Sequence, residues 1–266
     1  MNPIVRLALE EDIGTGDVTT AACVPADRQA RGRFLAREPL ILAGLDLLPE
    51  IYGVPLQFLK GNGDACADNQ VFATIEAPAR LLLERERVAL NFIQRLSGVA
   101  TVARKYTEAV AGTKCQVLDT RKTTPGLRAL EKAAAAAGGV TNHRMGLYDA
   151  ILIKNNHISA AGGVREAIAA ARATSPLPIE IEVRTRAELR DALESGAAHL
   201  LLDNLTPDEA REWIIEIHGR AKVELSGNIT LQNVRAYAEA GADFVSSGSI
   251  THSARAMDIS FRLELA

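Results

Sequence analysis

The stretch LESGAAHLLLDN, residues 193–204, connects the end of a predicted helix to a short apolar strand through Gly196. A second stretch, AEAGADFVSSGS at residues 238–249, repeats the same joint through Gly241. In both stretches a glycine ends the helix, and a small residue leads into the strand. The two joints indicate a chain in which helices alternate with short buried strands.

Six short apolar segments follow this pattern from about residue 116 onwards. They are CQVLD (115–119), AILIK (150–154), IEIEV (179–183), HLLLD (199–203), KVELS (222–226) and DFVSS (243–247). Short apolar strands that alternate with helices predict a parallel sheet buried on both faces. Six such units suit a barrel or an open doubly wound sheet. The barrel is favoured because no G-x-G-x-x-G fingerprint follows any predicted strand.

The first hundred residues have a different pattern. Three segments alternate in hydropathy and carry turn glycines and prolines: RGRFLAREPLILAGL (31–45), LQFLKGNGDAC (56–66) and QVFATIEAPARLLL (70–83). They predict an antiparallel sheet with flanking helices. A long helix over roughly 81–111 then connects the two halves. The chain is therefore expected to be an α/β protein with domains at 1–100 and 101–266, whose last residues are free to pack back on the N-terminal domain.

Composition narrows the functional class. A formal net charge of −3 argues against general electrostatic binding to nucleic acid or to an anionic membrane. Cys23, Cys66 and Cys115 form no CxxC motif, so neither a disulfide framework nor a zinc site is indicated. No signal peptide and no apolar run of membrane-spanning length is recognisable. We expect a cytoplasmic protein without nucleic-acid or membrane partners.

Polar residues cluster at the predicted strand ends. In a parallel barrel these ends open on one face, where active sites are built. Between Asp119 and His157 the chain carries six lysines and arginines but only three acidic residues, against the acidic balance of the whole. Arg121 and Lys122 stand side by side at the first strand end, and Lys154 ends the second. Such a group of cations suits a small anion that carries carboxylates or phosphates.

Two carboxylates and two glycine turns complete this set. Glu182 and Asp203 end apolar strands, and carboxylates beside an anion site hold Mg²⁺, bind sugar hydroxyls or stabilise developing positive charge. The turns SGN (226–228) and SSGS (246–249) lie at the last two strand ends, where barrels commonly bind phosphate. Each element also has a plainer interpretation: the cations as solvated surface, the two acids as helix N-caps, and the glycines as ordinary turns.

Seven segments resemble the quinolinate phosphoribosyltransferase family and occur in the order found there. They are EDIGTGDVTT (11–20), ERVALNFIQRLSGVAT (86–101), DTRKTTPGLR (119–128), GGVTNHRMGLYDAILIKNNHI (138–158), EIEVRT (180–185), LLLDN (200–204) and SGNIT (226–230). The resemblance runs from about residue 9 to the C-terminus, and the two central segments are the most specific. It implies a small N-terminal α/β sandwich domain followed by an incomplete parallel α/β barrel.

The resemblance also implies a reaction. Quinolinate would react with phosphoribosyl diphosphate (PRPP), with Mg²⁺ as cofactor, to give nicotinate mononucleotide, carbon dioxide and diphosphate. The implied enzyme is a homodimer whose active sites are shared, because Arg87 would reach the pocket of the neighbouring subunit. Asn228 stands where the family often has glycine, which is tolerable beside a phosphate.

Residue roles follow from the same resemblance. Arg121, His143 and Arg144 would bind the quinolinate carboxylates, while Lys122 and Lys154 would face the phosphorylated ribose and the diphosphate. Glu182 and Asp203 would address the ribose hydroxyls and the metal. Lys122, Lys154, Glu182 and Asp203 are the implied catalytic residues. The remaining substrate contacts would come from Thr120 and from the two turns, at Ser226, Gly227, Asn228, Ser247, Gly248 and Ser249.

Three alternatives stay open on the sequence. The first is a paralogous type II phosphoribosyltransferase that acts on another small acid, although the TNHR segment (141–144) with Arg121 favours a dicarboxylate. The second is an unrelated barrel enzyme that uses Lys154 as a Schiff-base lysine. The third is a protein that binds or senses a small anion without turning it over.

Overall fold

A computed structural model describes residues 1–265 of the chain. Its helices are α1 (Pro3–Ile13), α2 (Val18–Cys23), α3 (Leu47–Tyr52), α4 (Ala79–Ala109), α5 (Arg128–Ala137), α6 (Asn155–Ala161), α7 (Val164–Thr174), α8 (Arg186–Glu194), α9 (Pro207–Ile217), α10 (Val234–Glu239) and α11 (Ser249–His252). Its strands are β1 (Gln29–Ala36), β2 (Leu40–Ile41), β3 (Gln57–Phe58), β4 (Ala65–Cys66), β5 (Val71–Pro78), β6 (Gln116–Leu118), β7 (Ile151–Ile153), β8 (Ile179–Val183), β9 (His199–Asp203), β10 (Lys222–Ser226), β11 (Phe244–Ser246) and β12 (Ile259–Leu265). None of the helices within these residues combines the length and apolar character that a membrane crossing requires.

The chain divides into two compact units. Unit 1 comprises Met1–Arg104, Thr124–Gly139 and the C-terminal stretch from Ser253, and unit 2 comprises Lys105–Thr123 and Val140–His252. The predicted division into domains at 1–100 and 101–266, with one boundary near residue 100, remains a prediction.

Unit 1 is built on an antiparallel sheet, as the alternating segments predicted. The strand order is β12-β1-β5-β3, and a separate ribbon pairs β2 with β4. Phe34 on β1 lies opposite Phe261 on β12 and Ala73 on β5. The Phe34 ring lies 4.8 Å from the ring of Phe261 and 6.0 Å from that of Phe72, between ring centroids. These aromatic contacts place the core of unit 1 on one face of the sheet.

The long helix α4 begins and ends two residues earlier than predicted. Its buried residues recur at the three- and four-residue spacing of one helix face, at Leu82, Ala89, Ile93, Leu96 and Ala100. Residues up to Arg104 belong to unit 1 and those from Lys105 to unit 2.

Unit 2 contains the predicted parallel sheet. Its strand order is β6-β11-β10-β9-β8-β7, and every pairing between neighbours is parallel. Strands β6 and β7 are the two ends of this sheet, and one isolated bridge from Leu118 to Thr141 lies along β6. The sheet with its helices is therefore an incomplete α/β barrel. Gly196 and Gly241 adopt positive φ angles of 72° and 102°, which confirms their predicted role as helix terminators.

A close backbone approach within unit 1 gives a test of the fold. A Cβ atom added at Gly98 on α4 would lie 1.9 Å from the carbonyl oxygen of Arg255. We expect Gly98→Ala to lower the free energy of unfolding by about 1–3 kcal/mol, because overpacking against backbone cannot relax cheaply. Urea unfolding measures the change.

The matched control is Gly61→Ala, since the nearest atom to a Cβ there is an Asp64 carboxylate oxygen at 3.7 Å. Alanine improves helix propensity at position 98, so propensity alone would stabilise that variant. Equal unfolding midpoints for the two variants would contradict the proposed clash.

Candidate active site

A cavity of about 710 Å³ opens in unit 2 at the carboxyl ends of the parallel strands. All the predicted site residues except Arg87 line it: Thr120, Arg121, Lys122, His143, Arg144, Lys154, Glu182, Asp203, Ser226, Gly227, Asn228, Ser247, Gly248 and Ser249. The structure thus brings together the side chains that the strand-end argument grouped. The lining also contains residues that were not predicted as site residues: Leu152, Leu201, Asn204, Glu224, Ile229, Thr230, Ser246 and His252.

The segment after β6 is anchored by a buried carboxylate. Asp119 is fully buried, and it accepts hydrogen bonds from the backbone N–H of His143 at 2.8 Å and from Asn142 Nδ2 at 2.6 Å. Asp119 therefore fixes the loop that carries His143 against the end of β6.

The backbone beside Arg121 is also held in place. The N–H of Lys122 donates to Thr120 Oγ1 at 3.0 Å, and Thr251 Oγ1 donates to the Lys122 carbonyl at 2.7 Å. These hydrogen bonds fix the backbone positions from which the cationic side chains of Arg121 and Lys122 extend.

The arginines of the cavity repel each other. Burial, and after it the charge of Arg121, lowers the pKa of Arg144, although Asp149 and Glu180 oppose the shift. Arg144 NH1 donates to the carbonyl of Ala150 at 3.1 Å. The charge of Arg144, which burial and a neighbouring cation disfavour, would be stabilised by an anion.

Lys154 faces the first of the two strand-end acids. Its Nζ lies 3.7 Å from Glu182 Oε2, and its side chain is half exposed whereas that of Glu182 is buried. The helix α8 that follows Glu182 is capped by Thr185, whose hydroxyl accepts from the N–H of Glu188. The structure therefore excludes a capping role for Glu182.

Asp203 is held by polar neighbours at its strand end. It accepts hydrogen bonds from Ser226 Oγ and from Asn204 Nδ2, both at 2.6 Å, and Ser226 is its partner in the pairing of β9 with β10. The helix α9 is capped by Thr206 in a capping box with Glu209. Asp203 is therefore not a cap either, and its carboxylate lines the cavity.

Close packing explains the glycines of the two turns. Gly227 has a φ of +90°, and a Cβ there would lie 2.4 Å from Asn204 Oδ1. A Cβ at Gly248 would lie 2.7 Å from the Cδ atom of Lys122. Asn228 has a φ of 51°, in the left-handed region that glycine and asparagine tolerate best. This conformation accounts for an asparagine at a position where the family often has glycine.

A buried imidazole–carboxylate cluster lies beside the cavity and was missed by the sequence reasoning. His143 Nε2 lies 3.2 Å from Glu180 Oε2 and 3.4 Å from Glu224 Oε2, and Ser246 Oγ donates to Glu224 Oε1 at 2.6 Å. On the other side of the ring, Nδ1 accepts from the N–H of Arg144 at 2.8 Å. The available signal was the presence of glutamates inside the otherwise apolar strands IEIEV and KVELS.

Electrostatics within this cluster favour a charged ring. Burial opposes ionisation of His143, but its hydrogen bonds with Glu180 and Glu224 outweigh burial and raise its pKa to about 10. Burial raises the pKa of Glu224, whereas the interaction with His143 lowers that of Glu180. The contact of Nδ1 with the Arg144 N–H acts in the opposite direction, because an imidazolium has no acceptor.

Two sets of side chains have the chemistry of metal ligands. Glu182 and Asp203 offer carboxylate oxygens directly to the cavity. The ligand atoms of His143, Glu180 and Glu224 lie within 4.8 Å of one another. In that cluster Glu180 Oε1 and Glu224 Oε2 are buried without a hydrogen-bond partner among residues 1–265, and both carboxylates share one imidazole. Glu182 and Asp203 both line the cavity, so they are the candidates for a cation that acts inside it.

Arg87 lies apart from this set. It is exposed on α4 in unit 1, and it is not among the described residues that line the cavity. The ion pairs found within residues 1–265 include none between Arg87 and Glu84, the pairing expected of a simple surface arginine. Its role in a partner's pocket stays a prediction.

Two family descriptions match the chain. Residues 17–97 match the N-terminal domain of quinolinate phosphoribosyl transferase, and residues 99–262 match its C-terminal domain.

Individual proteins show the same similarity over nearly the whole chain. The probable nicotinate-nucleotide pyrophosphorylase (carboxylating) of Bacillus subtilis is 40% identical, with 96% of this chain and 91% of that protein covered. The Mycobacterium leprae nicotinate-nucleotide pyrophosphorylase (carboxylating) is 41% identical, with 97% and 95% covered. The crystal structure of NadC from Streptococcus pyogenes superimposes with a TM-score of 0.95 at 38% identity, covering 99% of this chain and 96% of that one.

The raised pKa of His143 predicts a pH-dependent contribution to stability. A group whose pKa is higher in the folded state, here about 10 against 6.5, stabilises the fold fully below the lower value. That contribution is lost as pH rises through the upper value. We expect the stability difference between the wild type and His143→Gln to be largest below pH 6.5 and to shrink towards pH 10. Urea unfolding across this range measures it.

His218→Gln is the control, since His218 is exposed at the end of α9. Its unfolding, measured at the same pH values, gives the effect of replacing an exposed imidazole. A pH-independent difference for His143→Gln would mean that folding does not change the pKa of His143, and a difference that falls as the pH drops below 6.5 would mean that the folded protein keeps the imidazole neutral.

Proposed function

The chain belongs to the quinolinate phosphoribosyltransferase family, and we propose that the cavity of unit 2 is the site of the reaction. The enzyme transfers the phosphoribosyl group of PRPP to quinolinate, with decarboxylation, in NAD biosynthesis. The products are nicotinate mononucleotide, carbon dioxide and diphosphate. The observation that supports the placement best is the gathering of Arg121, Lys122, Arg144 and Lys154 with two carboxylates and two glycine turns around one cavity.

The arginines are proposed to bind the acceptor. Quinolinate carries two adjacent carboxylates, and Arg121 and Arg144 supply two guanidinium groups that repel each other until an anion binds between them. His143 lines the same cavity, and its ring is held by Glu180 and Glu224. The pyridine nitrogen of the bound acid attacks the ribose carbon, and the ring becomes cationic. That charge stabilises the electron pair left on the ring carbon when carbon dioxide departs, and this carbon then takes up a proton from solvent to give nicotinate mononucleotide.

The opposite side of the cavity is proposed to bind the donor. As the bond to diphosphate breaks, positive charge develops at the ribose carbon, and the Glu182 and Asp203 carboxylates can stabilise it or bind the ribose hydroxyls. Lys122 and Lys154 stabilise the phosphate oxygens of the donor and of the leaving group. The turns at 226–228 and 247–249 offer hydroxyls and backbone amides to the 5′-phosphate.

Glu182 and Asp203 also suit a Mg²⁺ ion, which we propose as the cofactor. Mg²⁺ is usually bound by one or two carboxylates together with substrate phosphates, and these two carboxylates line the same cavity as Lys122 and Lys154. When bound, the ion would neutralise charge on the departing diphosphate.

The structure weakens one alternative. Schiff-base lysines are usually activated by an apolar pocket or by a neighbouring cation. Lys154 is instead half exposed and faces the Glu182 carboxylate at 3.7 Å. The geometry therefore favours an electrostatic role for Lys154.

We further propose that the enzyme is a cytoplasmic homodimer in which Arg87 enters the partner's pocket. Arg87 is exposed on α4, a helix whose other side chains are largely buried, and within residues 1–265 it forms no ion pair with Glu84. Both observations support this role.

The function is tested by incubating the purified protein with quinolinate, PRPP and Mg²⁺ and detecting nicotinate mononucleotide. Parallel reactions replace quinolinate with nicotinate or add a metal chelator. Equal turnover of nicotinate would contradict the dicarboxylate pocket, and full activity in excess chelator would remove the metal from the proposal.

Replacement of Arg144 by alanine tests the acceptor side. Loss of a partly buried charged partner costs about 2–5 kcal/mol, so quinolinate affinity should fall by at least about 30-fold while PRPP affinity changes little. Arg184→Ala is the control, because Arg184 is exposed just beyond β8 and does not line the cavity. Unchanged quinolinate affinity in the Arg144 variant would place that residue outside the pocket.

Subunit mixing tests the shared site. Arg87→Ala and Lys154→Ala are each expected to be inactive. A mixed dimer of the two would contain one intact site and one site that lacks both residues, so its activity should recover to about half that of a wild-type dimer.

Mixing Lys122→Ala with Lys154→Ala is the control. Both lysines line the cavity of one chain, so every site of that mixed dimer lacks one lysine and should stay inactive. Absence of recovery in the Arg87 experiment, despite demonstrated subunit exchange, would place Arg87 and Lys154 in the same subunit's site.

A further inference from the structure

We propose that Tyr106 is a positioning residue for the phosphate end of the cavity. Its phenol would connect the two turns and hold Ser249 so that the serine hydroxyl can donate to a phosphate oxygen. This inference rests on the proposed function, which places the 5′-phosphate of PRPP at these turns.

The phenol of Tyr106 lies at the centre of a buried hydroxyl network. The side chain comes from the last turns of α4 and is 3% exposed. Its oxygen lies 2.7 Å from Ser249 Oγ, 3.4 Å from Ser247 Oγ and 3.5 Å from the carbonyl oxygen of Ile229. Ile229 directly follows the SGN turn, and the two serines belong to the other turn. One phenol therefore contacts both turns.

The hydrogen bonds of this network have a defined direction. Ser247 Oγ lies 2.7 Å from the Ile229 carbonyl, which can only accept, so the single hydroxyl hydrogen of Ser247 points there. Ser249 Oγ lies 2.8 Å from Ser247 Oγ and must then be the donor in that contact. With its hydrogen used, Ser249 can only accept from Tyr106. The order of donation is Tyr106 to Ser249 to Ser247 to Ile229.

This direction matters when a phosphate binds. Ser249 lines the cavity, and rotation of its hydroxyl would move its hydrogen from Ser247 to a phosphate oxygen. Tyr106 continues to donate to Ser249 during this change, so the Ser249 oxygen keeps a partner and its hydrogen stays available. Tyr106 itself is not among the described residues that line the cavity, so it acts through Ser249 and not by contact with the substrate.

The test is Tyr106→Phe, which removes one hydroxyl and keeps the ring. Loss of a hydrogen bond of ordinary strength predicts an increase of about 2- to 10-fold in the KM for PRPP. The KM for quinolinate should not change. Ribose 5-phosphate, which carries the phosphate but no diphosphate, should become a weaker competitor of PRPP by a similar factor.

A double-mutant cycle separates positioning from general packing. If Tyr106 acts through Ser249, then Tyr106→Phe should have little further effect on PRPP binding once Ser249→Ala is present. Tyr52→Phe is the matched control, since the Tyr52 hydroxyl is buried in unit 1 without a hydrogen-bond partner among residues 1–265. It should leave both KM values unchanged.

Three results would overturn the inference. They are an unchanged KM for PRPP in Tyr106→Phe, an equal rise of both KM values together with a lower melting temperature, and fully additive effects in the cycle. A wild-type enzyme that makes no nicotinate mononucleotide would instead overturn the proposed function, so the two failures are distinguishable.

Discussion

The presence of two arginines, Arg121 and Arg144, at one cavity is the constraint that the surrounding structure has to meet. Burial and the charge of Arg121 together disfavour the cationic form of Arg144. A free chain would separate such groups, so the fold has to hold their backbones in place. Asp119 does this for the loop of His143 and Arg144, and Thr120 and Thr251 do it for the segment of Arg121 and Lys122. Under the proposed function, binding of the acceptor carboxylates would relieve this repulsion.

The buried cluster behind the cavity compensates part of this charge. Glu180 and Glu224 lie on strands β8 and β10, and both interact with His143 within 3.4 Å. One imidazole between two carboxylates places negative charge beside the cationic side chains, and Glu224 itself lines the cavity. Through these contacts Glu180 and Glu224 also attach the His143 loop to strands β8 and β10. The two glutamates therefore both balance charge and hold the loop in position.

Much of this could be predicted from the sequence. The six strands were recognisable because buried parallel strands are continuous apolar runs, and Gly196 and Gly241 marked the joints between helix and strand. The cations, acids and glycine turns at the strand ends followed from one topological rule, that parallel strands end on the same side. The roles of Thr120, His143 and Arg144 were predicted only from the family resemblance. Glu180 and Glu224 escaped prediction because their meeting depends on register. Each is paired with a neighbouring position on β9, Glu180 with His199 and Glu224 with Leu201.

The role of Tyr106 could not be predicted from the sequence either, because its partners are distant along the chain. It is 143 residues from Ser249 along the chain, and nothing in the pattern of α4 distinguishes a phenol that packs from one that donates. The proposed role of Tyr106 depends on the hydrogen bond that it donates to Ser249. The direction of that bond can be deduced only from the positions of Ser247, Ser249 and the Ile229 carbonyl in the folded structure. Local patterns therefore predict which groups can reach the cavity. The protonation and orientation of those groups depend on buried partners from distant parts of the chain.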